Sequence, residues 1–309
     1  MSTRRPGVCL LARDEILCRP DVAAAVDAVR RSSVELDIGT PASPEALKAS
    51  IPRAIEEGAS RIVVAGGDGT LNAAVDTLMG AELGREASLG LLPLGTANDF
   101  AKSAGIPSDD VAAALSLACT GEATRIDVGC VNGSYFVNAA SLGFGAQVTA
   151  TTPQDMKSLL GGAAYSIMGL VRAFRAEPHE GRLTLPDGET MEVRFLMMAV
   201  GNGRFAGGGF DVAPYASLTD GLLDIGWIAE AATESIGTVL DEMTDPADPQ
   251  NEHILYRQAP GFKLQTIDPL HVTLDGEATT GSLFEFECFP QALSMALGAD
   301  ALTSKEPSS

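Results

Sequence analysis

The apolar positions of the first 125 residues fall into short runs that alternate with stretches of helical spacing. Residues 7–12, 61–65 and 88–92 are apolar-rich runs of strand length, 34–38 alternates apolar and acidic residues as a strand does, and 61–65 has the composition of a strand buried on both faces. Between them, residues 20–31 place Val22, Val26 and Val29 on one helical face. Residues 43–57 open on Ser43-Pro44, an N-cap followed by proline at the first helical position. Residues 71–79, 98–104 and 108–119 continue the helical pattern. Strands alternating with helices predict a parallel sheet covered on both faces, an α/β domain over residues 1–125.

After Thr124 the period changes. Residues 193–200, 222–228, 253–257, 262–266, 271–274 and 282–289 read as strands, most of them separated by turn signals such as Pro186-Asp187-Gly188, Thr219-Asp220-Gly221 and Asp275-Gly276. This predicts an all-β, sandwich-like second domain over residues 126–289 with a few inserted helices. Residues 290–297 read as a last apolar helix, with 290–300 packing back on the first domain, and 303–309 as a frayed tail. Residues 161–175 carry Tyr165, Ile167, Met168, Leu170, Val171 and Phe174 beside Arg172 and Arg175. An apolar stripe of this kind is expected to pack on the β-domain; the alternative is an amphipathic helix at a membrane interface.

Composition narrows the function. The chain has 309 residues, enough for about two domains, with 45% apolar and 20% charged residues, which argues against disorder. Its longest apolar run is six residues, 195–200, against the ~20 a membrane-spanning helix needs. The apolar stretch near the N-terminus is cut short by Arg13, Asp14 and Glu15, too soon for a secretory signal. A soluble, cytoplasmic protein is expected. Forty-one acidic against twenty-one basic residues give a net charge of −20, a surface that repels nucleic acid and offers no general attraction to anionic lipid. The acids are spread along the chain, as expected for solubility or high salt. The five cysteines are scattered with no C-x-x-C, and the three histidines are far apart, so neither a disulfide framework nor a transition-metal site is expected.

The strongest local feature runs from Val63 through Gly66, Gly67, Asp68, Gly69, Thr70, Leu71 and Asn72: a buried strand, three glycines around one aspartate, then a helix. Glycines there allow positive φ and close backbone approach, and the first helix amides have no partner of their own, which makes an anion site with phosphate as its usual occupant. The chain contains no Walker A sequence. The nearest G-x-G-x-x-G match starts at Gly201 but leads into Gly207-Gly208-Gly209 instead of a helix, so a dinucleotide site is not expected there. The next strand ends in Pro93-Leu94-Gly95-Thr96-Ala97-Asn98-Asp99, a second strand–turn–helix junction that would lie on the same edge of the sheet. Taken alone, Leu274-Asp275-Gly276-Glu277 reads as a solvated hairpin tip. Ser217 to Leu222, around Asp220, reads as a turn that could offer oxygens to Mg²⁺ or Ca²⁺.

As a set these segments resemble the diacylglycerol-kinase-like lipid kinases, and within them the bacterial YegS-type enzymes. The matching pieces are GGDGT (66–70), PLGTANDFA (93–101), SLGFGA (141–146), GNGRFAGGG (201–209), TDGLLD (219–224) and LDGE (274–277). They occur in the family's order and cover nearly the whole chain. GGDGT alone is shared with phosphofructokinases and NAD kinases, whose fold the first domain would share.

The resemblance implies ATP bound between the domains, contacted by Thr40, by Gly66, Gly67, Asp68, Gly69, Thr70, Leu71 and Asn72, and by Gly95 and Thr96. It implies Glu277 as general base toward a lipid hydroxyl, within a catalytic set of Glu277, Asp68, Asp99 and Asp275. Asp68 and Asp99 would organise a catalytic Mg²⁺, and Ser217, Asp220 and Leu222 would hold a structural metal, Mg²⁺ or Ca²⁺, the first and last through carbonyls. The acceptor would be a phosphatidylglycerol- or diacylglycerol-type lipid, met peripherally at the inner membrane face, and a homodimer is compatible with it. After the first strand the family commonly has an Asn-containing loop where this chain has Ala12-Arg13-Asp14, so no nucleotide contact is assigned there. The competing readings are a kinase of a soluble metabolite and a nucleotide-binding module without turnover.

Overall fold

A computed structural model describes residues 7–32, 34–143, 177–229, 236–275, 277–299 and 301. The chain forms two compact units; one ends at Val128 and takes up the chain again from Pro290, and the other runs Gly129–Phe289.

In the first unit, β1 (Gly7–Leu11), β2 (Leu36–Gly39), β3 (Ala59–Gly66) and β4 (Ser88–Pro93) form a parallel sheet in the order β2-β1-β3-β4. A short α1 (Asp14–Leu17) and α2 (Pro20–Arg31) follow β1, α3 (Pro44–Glu56) follows β2, and α4 (Asp68–Gly80) follows β3. After β4 come α5 (Asp99–Ser103) and α6 (Val111–Thr120). Alternate strand residues face opposite ways. Val8, Leu10, Val63 and Ala65 meet Val22, Val26 and Val29 of α2 and Leu115 of α6, while α3 and α4 pack against each other and on β3. Ser43 caps α3 by accepting the Ala46 amide at 3.2 Å, as the Ser-Pro signal predicts.

One expectation is overturned here. Residues 290–297 are not a helix: all but Leu297 belong to β15 (Glu277–Ala296), which pairs in parallel with β4 through Ser294 and Met295. Leu293 and Met295 are buried while Ala292 and Ser294 are half-exposed, the period of a strand. The free edge of β4 decides the outcome, because a short apolar run next to an open parallel edge gains ladder hydrogen bonds that an isolated eight-residue helix lacks. Gln291 takes a left-handed φ of 51° there, and its amide donates to Asp127 Oδ1 at 2.7 Å.

The second unit is antiparallel. Its strands are β5 (Ala123–Val131), β6 (Ser134–Phe136), β7 (Ala139–Gly143), β8 (His179–Thr184), β9 (Thr190–Gly201), the short β10 (Phe205–Ala206) and β11 (Phe210–Asp211), β12 (Leu223–Ala229), β13 (Ile254–Ala259), β14 (Gly261–Leu274) and most of β15. The order is β13-β12-β9-β7-β14-β15, and β7 and β8 share one slot between β9 and β14: β7 pairs with the last residues of β9 and β14, β8 with their earlier ones. The two strands expected at 262–266 and 271–274 are one strand, β14, with an irregularity between Gln265 and Leu270. Phe136, Phe195, Phe284 and Phe286 fill the core, with Phe262 stacked on Phe286 at 4.6 Å between ring centres. Among the described residues an inserted helix, α7 (Ile236–Glu242), packs Val239 against Leu196, Ile228 and Ile254, and the Glu242 carboxylate accepts the amides of Glu252, His253 and Ile254 at the head of β13. Residues 161–175 lie outside the described residues.

Among the described residues no helix is long and apolar enough to cross a membrane. Cysteine chemistry follows burial: Cys9, Cys119, Cys130 and Cys288 are buried and Cys18 is exposed. Burial, helped by Asp37 and Glu57, pushes the Cys9 thiol up to about 11. Burial also brings Cys119 to about 11, against a smaller opposing effect of Arg61. Alkylation of the folded protein at pH 8, read by peptide mass spectrometry, is therefore expected to modify Cys18 and to spare Cys9 and Cys119 until denaturant is added.

Candidate functional site

The parallel register brings the ends of the first four strands to one edge. Leu11 lies opposite Gly39 and Val64, and Gly66 opposite Pro93, so Thr40, Gly67 and Leu94 all follow strand ends on the same side. This carboxyl edge is where α/β sheets bind ligands, with the switch in strand order at β1 and β3. Thr40 is exposed there, two strands away from the glycine turn, which is about 10 Å by strand spacing.

The glycines serve close packing more than unusual dihedrals. Gly207, Gly208 and Gly209 of the second unit take positive φ, but Gly66, Gly67, Gly69 and Gly95 do not. A Cβ on Gly66 would sit 2.3 Å from Thr70 Oγ1, and one on Gly95 would sit 2.4 Å from the Gly67 Cα. The β3–α4 and β4–α5 turns therefore touch backbone to backbone, and only glycine lets them. The positive-φ part of the sequence expectation is corrected: in these two turns the left-handed residue is Asn98, at φ 50°. Its side chain clamps the second turn, Oδ1 accepting the Gly95 amide and Nδ2 donating to the Gly95 carbonyl, both at 2.9 Å.

Gly67 caps α4 without a side chain, and its carbonyl accepts the amides of Thr70 at 3.0 Å and Leu71 at 3.1 Å. By helix geometry the amides ahead of these, of Asp68 and Gly69, have no intrahelical acceptor, and with the helix dipole they favour an anion. A Cβ on Gly69 would meet nothing within 4 Å, so this side of the turn is open. Asp68 Oδ1 accepts the Phe100 amide at 3.1 Å, tying the head of α4 to α5. Asp99 is buried, with Lys102 Nζ 3.7 Å from its Oδ1, and Thr96 is exposed. Asn72, one helical turn beyond Asp68, is buried and its Oδ1 has no hydrogen-bond partner. Asp68, Asp99 and Asn72 thus belong to one pair of linked turns, with Leu71 buried beneath them.

In the second unit, Asp275 takes φ 44° at the end of β14, and both of its carboxylate oxygens are engaged: Oδ2 accepts the Val137 amide and Oδ1 the Ala139 amide, each at 3.0 Å. The turn is therefore built into the domain and is more than a solvated tip. Glu277 opens β15, with its backbone paired to Leu274; Gly276 and the Glu277 side chain lie outside the described part of the structure.

The segment from Ser217 to Leu222 is a tight turn. Ser217 Oγ accepts the Thr219 amide at 3.3 Å, exposed Asp220 accepts the Leu222 amide through Oδ1 at 3.0 Å, and Gly221 has φ 75°. Beneath it, Asp224 is 1% exposed and accepts from the Tyr256 hydroxyl, with Gln258 Nε2 at 3.4 Å from each carboxylate oxygen. Burial raises Asp224 to about 8, with Asp220 adding to the rise and Gln258 opposing it. Among the described residues no group of three or more His, Cys, Asp or Glu side chains is placed to hold a metal. The set that the resemblance implies, one carboxylate with two carbonyls, would be of a different, all-oxygen kind, the kind that suits Mg²⁺ or Ca²⁺.

Sequence reasoning missed two buried polar residues near Asp275, Asn138 and Asn202. The available signal was a lone asparagine in the otherwise apolar stretch 136–140. A buried amide there needs partners, and partners fix geometry.

The diacylglycerol kinase catalytic domain family matches residues 19–131, and the YegS C-terminal NAD kinase beta sandwich-like domain matches residues 138–297. A protein of Pseudomonas aeruginosa strain UCBPP-PA14 named "Probable lipid kinase YegS-like" is 39% identical over 287 residues, 93% of each chain. A protein of the same name from Pseudomonas savastanoi pv. phaseolicola is 39% identical over 299 residues, 97% of this chain and 95% of that one. Among solved structures, a diacylglycerol kinase of Bacillus anthracis superposes with a TM-score of 0.76 at 22% identity, covering 97% of this chain and all of that one, a likeness of fold.

Proposed function

The chain belongs to the diacylglycerol kinase family, with the YegS-type C-terminal domain, and from that membership we propose that it transfers the γ-phosphate of ATP to the hydroxyl of a phosphatidylglycerol- or diacylglycerol-type lipid. The observation that best supports the ATP half is the pair of glycine turns at the carboxyl edge of the parallel sheet, joined at Gly67 and Gly95 beside the uncapped head of α4.

Phosphoryl transfer asks a protein mainly to position groups and to balance charge. In this reading the amides of Asp68 and Gly69 receive phosphate oxygens. Thr40, Gly66, Thr70, Leu71, Asn72, Gly95 and Thr96 shape the rest of the nucleotide site, and the unpartnered Asn72 Oδ1 accepts from the bound nucleotide or its hydration shell. Asp68 and Asp99 would hold the catalytic Mg²⁺, and Ser217, Asp220 and Leu222 a structural divalent cation. When bound, the catalytic ion neutralises the polyphosphate and orients the γ-phosphate. The Glu277 carboxylate takes the proton from the acceptor hydroxyl, whose oxygen attacks the γ-phosphorus as the bond to the β–γ bridging oxygen breaks and ADP leaves. With both oxygens on backbone amides, Asp275 serves the reaction by holding that turn.

Two glycines separate folding from binding. Gly95→Ala drives a methyl into the Gly67 backbone and is expected to destabilise the protein by about 1–3 kcal/mol, read in denaturant melts. Gly69→Ala meets open space in a helix, so stability is expected to hold or rise. The same methyl faces the incoming phosphates and is expected to raise the KM for ATP about tenfold, the worth of one weakened charged hydrogen bond. An unchanged KM in Gly69→Ala would move the phosphates elsewhere.

Acceptor choice is tested by presenting phosphatidylglycerol, diacylglycerol and a sphingoid base separately in detergent micelles with ATP and Mg²⁺. Glycerolipid phosphorylation with the sphingoid base inert is the expected result; turnover confined to the sphingoid base would overturn the acceptor class.

A further inference from the structure

Residues 137–139 are gripped from two sides. On one side is the Asp275 carboxylate, whose own amide also returns to the Ala139 carbonyl at 3.2 Å. On the other, the Asn138 carbonyl accepts the amides of Asn202 at 2.9 Å and Gly203 at 2.7 Å. Asn202 Nδ2 donates to the Val137 carbonyl at 2.8 Å, and Asn138 Nδ2 donates to the Phe205 carbonyl. Both asparagines are buried, Asn202 completely. These bonds root the loop on its inner side, while the Arg204 carbonyl accepts the Val212 and Ala213 amides at 2.9 and 3.2 Å and the Arg204 guanidinium pairs with Asp211. Beyond Phe205 the chain runs through Gly207, Gly208 and Gly209, at φ 64°, 94° and 106°, before Phe210 and Asp211 pair back on Ala206 and Phe205. A glycine-rich tip has high conformational entropy, so its placement depends on its base.

We infer that Asp275 and Asn138 are positioning residues: through residues 137–139 they fix the turn that carries Glu277 and the loop 201–209 in one arrangement on the acceptor side of the reaction. The inference rests on Glu277 acting as the base. The residue types match the demand. Val137 and Ala139 present two N–H donors, and only a carboxylate at 275 can accept both; an asparagine there would set its NH₂ against one of them. Asparagine still tolerates the left-handed backbone at 275, so Asp275→Asn is a narrow perturbation.

The experiment compares wild type, Asp275→Asn, Asn138→Ala and Glu277→Gln in lipid micelles, measuring kcat, both KM values, the pH–rate profile and Tm. Asp275→Asn is expected to lower kcat about 10–100-fold, the scale of an ångström-sized misplacement, with the KM for ATP little changed. The acid limb of its profile should shift, because the Glu277 carboxylate then sits in altered surroundings. Asn138→Ala should show the same signature at smaller size and decides the matter if Asp275→Asn does not fold. Folded variants with wild-type kcat and a superimposable pH profile would overturn the inference, leaving these residues a purely architectural part. Full activity in Glu277→Gln would instead bring down the underlying mechanism, so the two failures are distinct.

Discussion

Glu277→Gln is expected to lower turnover by ~10²–10⁴-fold, the usual range for loss of a general base. Glutamine keeps the length and shape of the side chain at the start of β15 but cannot take up a proton at neutral pH. The lipid hydroxyl must then lose its proton to water while attacking the γ-phosphorus. The loss belongs to the transition state, so it should fall on kcat, with the KM for ATP nearly unchanged. Steady-state rates at saturating lipid and ATP read this directly. A variant with near-wild-type turnover removes Glu277 from the role.

The second large effect concerns Asp68, whose carboxylate has two duties that can be separated. Oδ1 accepts the Phe100 amide and ties the two glycine turns together. The negative charge is what a phosphate-bound Mg²⁺ requires. Asp68→Asn keeps an oxygen for Phe100 and removes the charge, so kcat/KM is expected to fall ~10²–10³-fold with Tm nearly unchanged and a higher Mg²⁺ requirement. Asp68→Ala removes both and is expected to lose about 1–3 kcal/mol of stability as well, because the Phe100 amide is left without its acceptor. Equal activity in Asp68→Asn and wild type across a Mg²⁺ titration would confine Asp68 to its structural duty.

The α/β unit was legible because most of its strands are apolar-rich runs and its helices carry punctuation such as Ser43-Pro44. The glycine turns were legible as a pair of junctions, but the reason for Gly95 was not. Contact with Gly67 is a tertiary fact, and a sequence cannot show that two turns from different strands touch. Residues 290–297 misled because eight apolar-rich residues fit either period, and the open edge of β4, far away in sequence, decides between them. The hairpin of β5 and β6 went unread although Asn132-Gly133, both at positive φ, is the strongest short hairpin signal. At LDGE the local reading was a solvated tip. What makes Asp275 structural is its pair of bonds to the Val137 and Ala139 amides, which lie 138 and 136 positions away along the chain. The resemblance to a family pointed to that turn where local chemistry could not.

Phosphoryl transfer from ATP to a lipid is read out by incubating the protein with γ-labelled ATP, Mg²⁺ and detergent-dispersed total bacterial lipid, beside Glu277→Gln, and following the label into chloroform. Label is expected in the organic phase with wild type and is expected to be almost wholly lost in the variant. Label that stays in water although ATP binding is demonstrable, or that enters lipid equally with both proteins, would contradict that expectation.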